Sequence, residues 1–117
     1  MKNLWKETIC DLAENGKTWD DVVGICCDDF QITKAQFEKL ANREYDNGYG
    51  GVEVAQDLMI VGADFWLERH EYDGSEWWEY KQMPNLAEKP LVSVDRIILD
   101  CGHYWADTLK SLNEDEE

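Results

Sequence analysis

The dipeptide Asp73-Gly74 stands between two runs, 65–71 and 76–82, in which aromatic and charged residues alternate, and this feature restricts the fold most narrowly. Both turn residues tolerate positive φ, which a two-residue hairpin demands, so the runs are expected to pair as antiparallel strands. Such a turn fixes the partners. It sets Leu67 opposite Tyr80, Arg69 opposite Trp78 and Glu71 opposite Glu76 on one face. On the other it sets Trp66 opposite Lys81, Glu68 opposite Glu79 and His70 opposite Trp77. Side chains alternate between the faces of a strand, and the face with Phe65, Leu67, Trp78 and Tyr80 is the expected core side. If Tyr72-Asp73 instead forms a type I turn with Gly74 in a bulge, partners shift by one, His70 meets Glu76 and the carboxylate pairs dissolve.

Around this hairpin the remaining elements follow from spacing and caps. Asn3 is placed to cap a helix over about 4–15 with Leu4, Trp5, Thr8, Ile9 and Leu12 on one stripe and Asn15-Gly16 as its stop. Trp19, Val22, Val23 and Cys26 recur at helical spacing behind Thr18, which predicts a short second helix over about 19–27. Thr33-Lys34-Ala35-Gln36 reads as a capping box for a third, ending near Asp46, where the glycine-rich stretch from Asn47 to Gly51 serves as a hinge. Leu58–Val61 is a strand that joins the hairpin in a meander. Pro84 and Pro90 bracket a loop, and Ser93 opens a last helix carrying Val94, Ile97, Ile98, Cys101, Trp105, Leu109 and Leu112. The expected fold class is α+β: three N-terminal helices, a three-stranded antiparallel β-meander and a C-terminal helix. At 117 residues this makes one domain, 1–112, with 113–117 as an acidic tail.

Charge limits the function classes. The chain carries 26 Asp and Glu against 11 Lys and Arg, a formal net charge of −15. Phosphate neutralisation needs clustered cations, so direct nucleic-acid binding and anionic membranes are disfavoured, and a basic protein surface is the natural partner. The field is uneven: residues 1–50 hold ten acids and six bases, residues 51–117 sixteen acids and five bases. The amino end opens into no apolar run of signal-peptide length, and no stretch is long enough to span a bilayer, so a soluble cytoplasmic protein is expected. Cys10, Cys26, Cys27 and Cys101 contain no Cys-x-x-Cys pair and are expected as reduced, buried thiols. A zinc site joining one of the first three to Cys101 and His103 has a Cys-x-His spacing foreign to structural zinc pairs, so no cofactor or metal is expected.

Catalytic signals are poor. No nucleophile elbow, phosphate-binding loop or His-Glu-x-x-His is present, and the glycine-rich stretch lacks a lysine, so no enzyme is expected. Helices two and three resemble a helix-turn-helix in outline, with Lys34, Gln36, Lys39, Asn42 and Arg43 on the second, but Asp28, Asp29, Glu38 and Glu44 oppose phosphate. A small-molecule pocket between the meander and the last helix is a third reading.

The segments Thr18-Trp19-Asp20-Asp21-Val22-Val23, Asp46-Asn47-Gly48-Tyr49-Gly50 and Tyr72-Asp73-Gly74-Ser75-Glu76-Trp77 together resemble small uncharacterised acidic proteins of bacteria and their phages. The resemblance carries no functional residue; it implies a setting, in which such proteins often inhibit host defence nucleases, some by imitating the charge of DNA. The leading expectation is therefore a non-enzymatic interaction protein. Its hairpin would dock on the basic, nucleic-acid-binding surface of a host protein, with Glu68, Glu71, Glu76 and Glu79 supplying charge, Trp66 and Trp77 supplying contact area, and His70 between them.

Overall fold

The computed structural model describes residues 1–48, 50–98 and 108–113. The chain divides into two units, Met1–Pro84 and Asn85–Glu117.

The first unit is built on a five-stranded antiparallel sheet. Its strands are β2 (Val22–Cys26), β3 (Gln31–Ile32), β5 (Met59–Gly62), β6 (Phe65–Tyr72) and β7 (Ser75–Gln82), in the order β3-β2-β5-β6-β7. A second, two-stranded ladder joins β1 (Lys2–Asn3) to β4 (Glu44–Tyr45). Two helices, α1 (Leu4–Glu14) and α2 (Lys34–Ala41), pack with one face of the large sheet. Leu12 of α1 and Phe37 and Ala41 of α2 meet Val22, Ile25, Ile60, Phe65, Leu67 and Trp78 of the sheet in one buried core. Beside it Trp5, Trp19 and Phe37 form an aromatic cluster, Trp5 standing edge-on to Trp19 at 4.8 Å and Trp19 stacking on Phe37 at 5.7 Å.

The hairpin forms as the turn chemistry requires. Asp73 and Gly74 both have positive φ, 51° and 84°, the signature of a type I′ turn, and the register sets Glu68 opposite Glu79 and His70 opposite Trp77. The bulged alternative does not occur. Helix α1 likewise follows its signals, with the Asn3 side chain accepting from Lys6 N at 3.0 Å and Gly16 in the left-handed region after its end.

The expected bundle of three N-terminal helices does not form. Only a 3₁₀ turn, Trp19–Asp21, precedes Val22, and the rest of the expected second helix is β2. A bulge explains the misleading spacing. The ladder to β5 slips between Val22 and Gly24, so Val22 and Ile25, three apart, both face the core as helical neighbours would. Two β-branched valines before a glycine favour the strand. The third expected helix is shorter, ending at Ala41, because Glu44-Tyr45 pairs with β1. The meander thus becomes the centre and one edge of a larger sheet.

The expected hinge is instead a docked loop. Asn47 O accepts from Glu76 N at 3.0 Å, and a Cβ on Gly74 would come within 3.3 Å of Gly50 O, so the glycines let loop and turn approach closely.

In the second unit, Ser93–Ile98 is not helical, and helix α3 spans only Leu109–Leu112. The Asn113 side chain ties this segment to α3 instead: its Oδ1 accepts from the Asp95 and Arg96 amides, each at 3.1 Å, while its Nδ2 donates to Leu109 O and to Arg96 O, a carbonyl that a helix would spend on its own ladder. Ile97 and Ile98, on the apolar stripe of the expected helix, are exposed. The part of the expected helix over 99–107, with Cys101, His103 and Trp105, lies outside the described residues.

Candidate functional site

The hairpin presents two chemically different faces. The outer one, turned away from α1 and α2, carries Trp66, Glu68 and His70 from β6 and Trp77, Glu79 and Lys81 from β7. There the two oxygens of Glu68 are separately engaged, Oε1 by the Trp66 indole N–H at 2.7 Å and Oε2 by His70 Nε2 at 2.7 Å. These donors hold the Glu68 carboxyl below its usual range, the Trp66 bond contributing most and the His70 bond next, so it stays anionic at neutral pH. Glu79 stands directly opposite, and Trp77, 36% exposed, is open to contact. Like charges facing across a ladder destabilise it, and the two bonds on Glu68 offset part of that cost.

The structure brings five of the seven expected interface residues together on this face: Trp66, Glu68, His70, Trp77 and Glu79. Glu71 and Glu76 belong to the opposite face. Glu71 is exposed at the strand end, whereas Glu76 is among the most buried side chains of the described residues.

Glu76 is the anchor of an interior network. Its Oε1 accepts from Arg69 Nη2 at 2.8 Å and Val54 N at 3.2 Å, and its Oε2 from Glu53 N at 2.7 Å. Arg69 Nη2 also donates to the Tyr45 hydroxyl at 3.1 Å, and that hydroxyl donates to Glu7 Oε1 at 2.5 Å. The guanidinium is flanked by the rings of Trp78, 4.7 Å from its carbon to the ring centre, and Tyr45, at 5.6 Å. Glu7 Oε2 stands 3.6 Å from Nη1, too far for a bond, and among the described residues Nη1 and Nε have no hydrogen-bond partner. Burial foremost, then the bond to Glu7, raise the Tyr45 hydroxyl above its ordinary range, so it remains a donor. The indole of Trp78 donates to Thr8 Oγ1 at 3.0 Å, tying β7 to α1.

Two features from the sequence hinted at this network. Arg69 and Glu76 occupy strand positions that share a face with Leu67 and Trp78, and Glu7 adjoins the apolar stripe of α1. A charged residue at a core-facing position reads as exposed unless its buried partner is recognised.

Three thiols among the described residues, Cys10, Cys26 and Cys27, are free. Cys10 is exposed rather than buried, and the charge of Glu14, with its contact at 3.7 Å, raises the thiol above its ordinary range. The two other members of the considered zinc set, Cys101 and His103, are outside the described residues, and among those described no cluster has metal-binding composition. No described helix is long and apolar enough to cross a membrane. A cleft of about 530 Å³ lies elsewhere, lined by Leu4, Leu40, Tyr45, Val54 and Leu58 with Arg43 among its polar groups. The helix-turn-helix geometry is lost, since the first of its two helices is β2.

Comparison with protein-family models, with curated proteins and with solved structures finds no match to this chain.

Proposed function

We propose that this chain is a non-enzymatic, cytoplasmic interaction protein whose outer hairpin face docks on a basic protein surface, the nucleic-acid-binding channel of a host enzyme being the leading instance. The observation that carries the reading is Glu68, held charged between Trp66 and His70, facing Glu79 across the ladder beside the exposed Trp77. A fixed carboxylate with a second one across the ladder and aromatic neighbours supplies charge complementarity and contact area together, the combination that interface anchors favour. The net charge of −15 supports it by steering the chain toward cationic surfaces and away from phosphate. A phage or mobile-element inhibitor that imitates the charge of DNA is the biological setting in which such a face is useful.

The test is affinity capture from the native host, with wild type against Glu68→Lys and Trp77→Ala. The wild type is expected to retain a basic nucleic-acid-binding protein, duplex DNA to compete for it, and both variants to lose it while remaining folded by circular dichroism. Retention unaffected by either substitution and by DNA removes the outer face as the interface.

A further inference from the structure

The free edge of β7 carries a second recognition element, distinct from the outer face. In the antiparallel ladder, backbone groups of alternate residues point toward β6 and away from it. The turn closes through Tyr72 and Ser75, and Met83 N reaches Asp64 O at 2.6 Å, so odd-numbered residues face β6. The N–H and C=O groups of Trp78, Tyr80 and Gln82 therefore point outward. Among the described residues of the first unit nothing is bonded to them. The open stretch is bounded at both ends. Glu76 N is already taken by Asn47 O at 3.0 Å, and Pro84 has no N–H to give. What remains is a segment symmetric about Tyr80.

We propose that this edge pairs with a second copy of the chain, antiparallel, about a twofold axis at Tyr80. That register sets Tyr80 against Tyr80 of the second copy and Trp78 against Gln82, and it uses every free backbone group between the two stops. It also sets Glu79 opposite Lys81 twice, on the outer face. Sliding by one pair in either direction sets Glu79 against Glu79 or Lys81 against Lys81. Charge and backbone availability thus select one register independently, and each Glu79, which within its own hairpin faces Glu68, gains a lysine neighbour. The two sheets become one ten-stranded sheet by the arithmetic of two five-stranded halves, and the outer faces of both copies lie side by side. Edge pairing of this kind is prevented in many proteins by charges that clash in every register; here the alternation of one acid and one base around Tyr80 permits it.

Sedimentation equilibrium of the full chain at constant ionic strength tests the pairing. Wild type is expected to show a monomer–dimer equilibrium. Glu79→Lys and Lys81→Glu are each expected to weaken it about tenfold or more, since two attractive cross-strand pairs become repulsive, and the double exchange to restore it to within about threefold. On wild type alone, the Tyr80 and Gln82 amides are expected to exchange more slowly with deuterium as concentration rises. A chain that stays monomeric up to about 1 mM, a dimer indifferent to both single exchanges, or amide exchange independent of concentration overturns the proposal.

Discussion

Arg69 and Glu76 sit diagonally across the β6–β7 ladder, and their guanidinium and carboxylate meet at 2.8 Å with both side chains withdrawn from solvent. Two backbone amides complete the carboxylate's shell, and two aromatic rings flank the guanidinium. With Glu7 also buried, the cluster holds two carboxylates against one cation, so Arg69 is the charge that neither carboxylate can lose, while Glu76 supplies its one bonded carboxylate contact.

Replacing Glu76 is therefore expected to cost more than any change on the outer face. Glu76→Gln keeps the shape but presents an amide where Arg69, Glu53 N and Val54 N all donate; a loss of about 2–3 kcal/mol is expected from the charge-assisted bonds. Urea denaturation checks it, the midpoint falling with an unchanged slope. Glu79→Lys, by contrast, relieves the clash with Glu68 and is expected, at a concentration where the chain is monomeric, to leave folding stability unchanged or raised by a few tenths of a kcal/mol.

Thr8→Val tests the link between helix and sheet. The substitution conserves volume, removes the acceptor of the Trp78 indole N–H and leaves that donor buried. A destabilisation of about 1–3 kcal/mol is expected, measured by denaturation followed through tryptophan fluorescence.

The pH dependence turns on Asp11. Burial chiefly, then the charges of Glu7 and Glu14, raise its carboxyl from 3.8 to about 6. A carboxyl with a higher pKa folded than unfolded holds its proton better in the folded state, so its contribution to stability falls as pH rises between about 4 and about 6. Its charge is a full liability above that window and none below it. Asp11→Asn is expected to stabilise the protein by about 1 kcal/mol at pH 7.5, discounted for solvent screening, and to have no effect near pH 3.5. Thermal melts at the two pH values distinguish this from a pH-independent effect.

How much of this was legible in the sequence depends on whether the signal was local. The turn at Asp73-Gly74 and the cap at Asn3 are decided within a few residues, and both form as read. Strand β2 was hidden because its bulge converts a period of two into a spacing of three, for which helix is the ordinary reading. The outer-face residues Trp66, Glu68, His70, Trp77 and Glu79 follow from alternation once the register is known. Alternation also puts Glu76 on the core side but does not show what satisfies it there, because its partners Glu53 and Val54 lie 23 and 22 residues away in a segment with no strand or helix pattern of its own. The C-terminal spacing around Ser93 misled for a similar reason: the Asn113 side chain, far along the chain, bonds the Arg96 carbonyl that a helix would use internally.

The bonds from Glu53 and Val54 to Glu76 also couple two distant parts of the chain. Those amides belong to an irregular segment that would ordinarily exchange its hydrogens freely, yet their acceptor exists only when the hairpin has closed and turned Glu76 inward. The order of the loop between β4 and β5 is thereby tied to the sheet, and its protection reports the opening of a hairpin elsewhere in the chain.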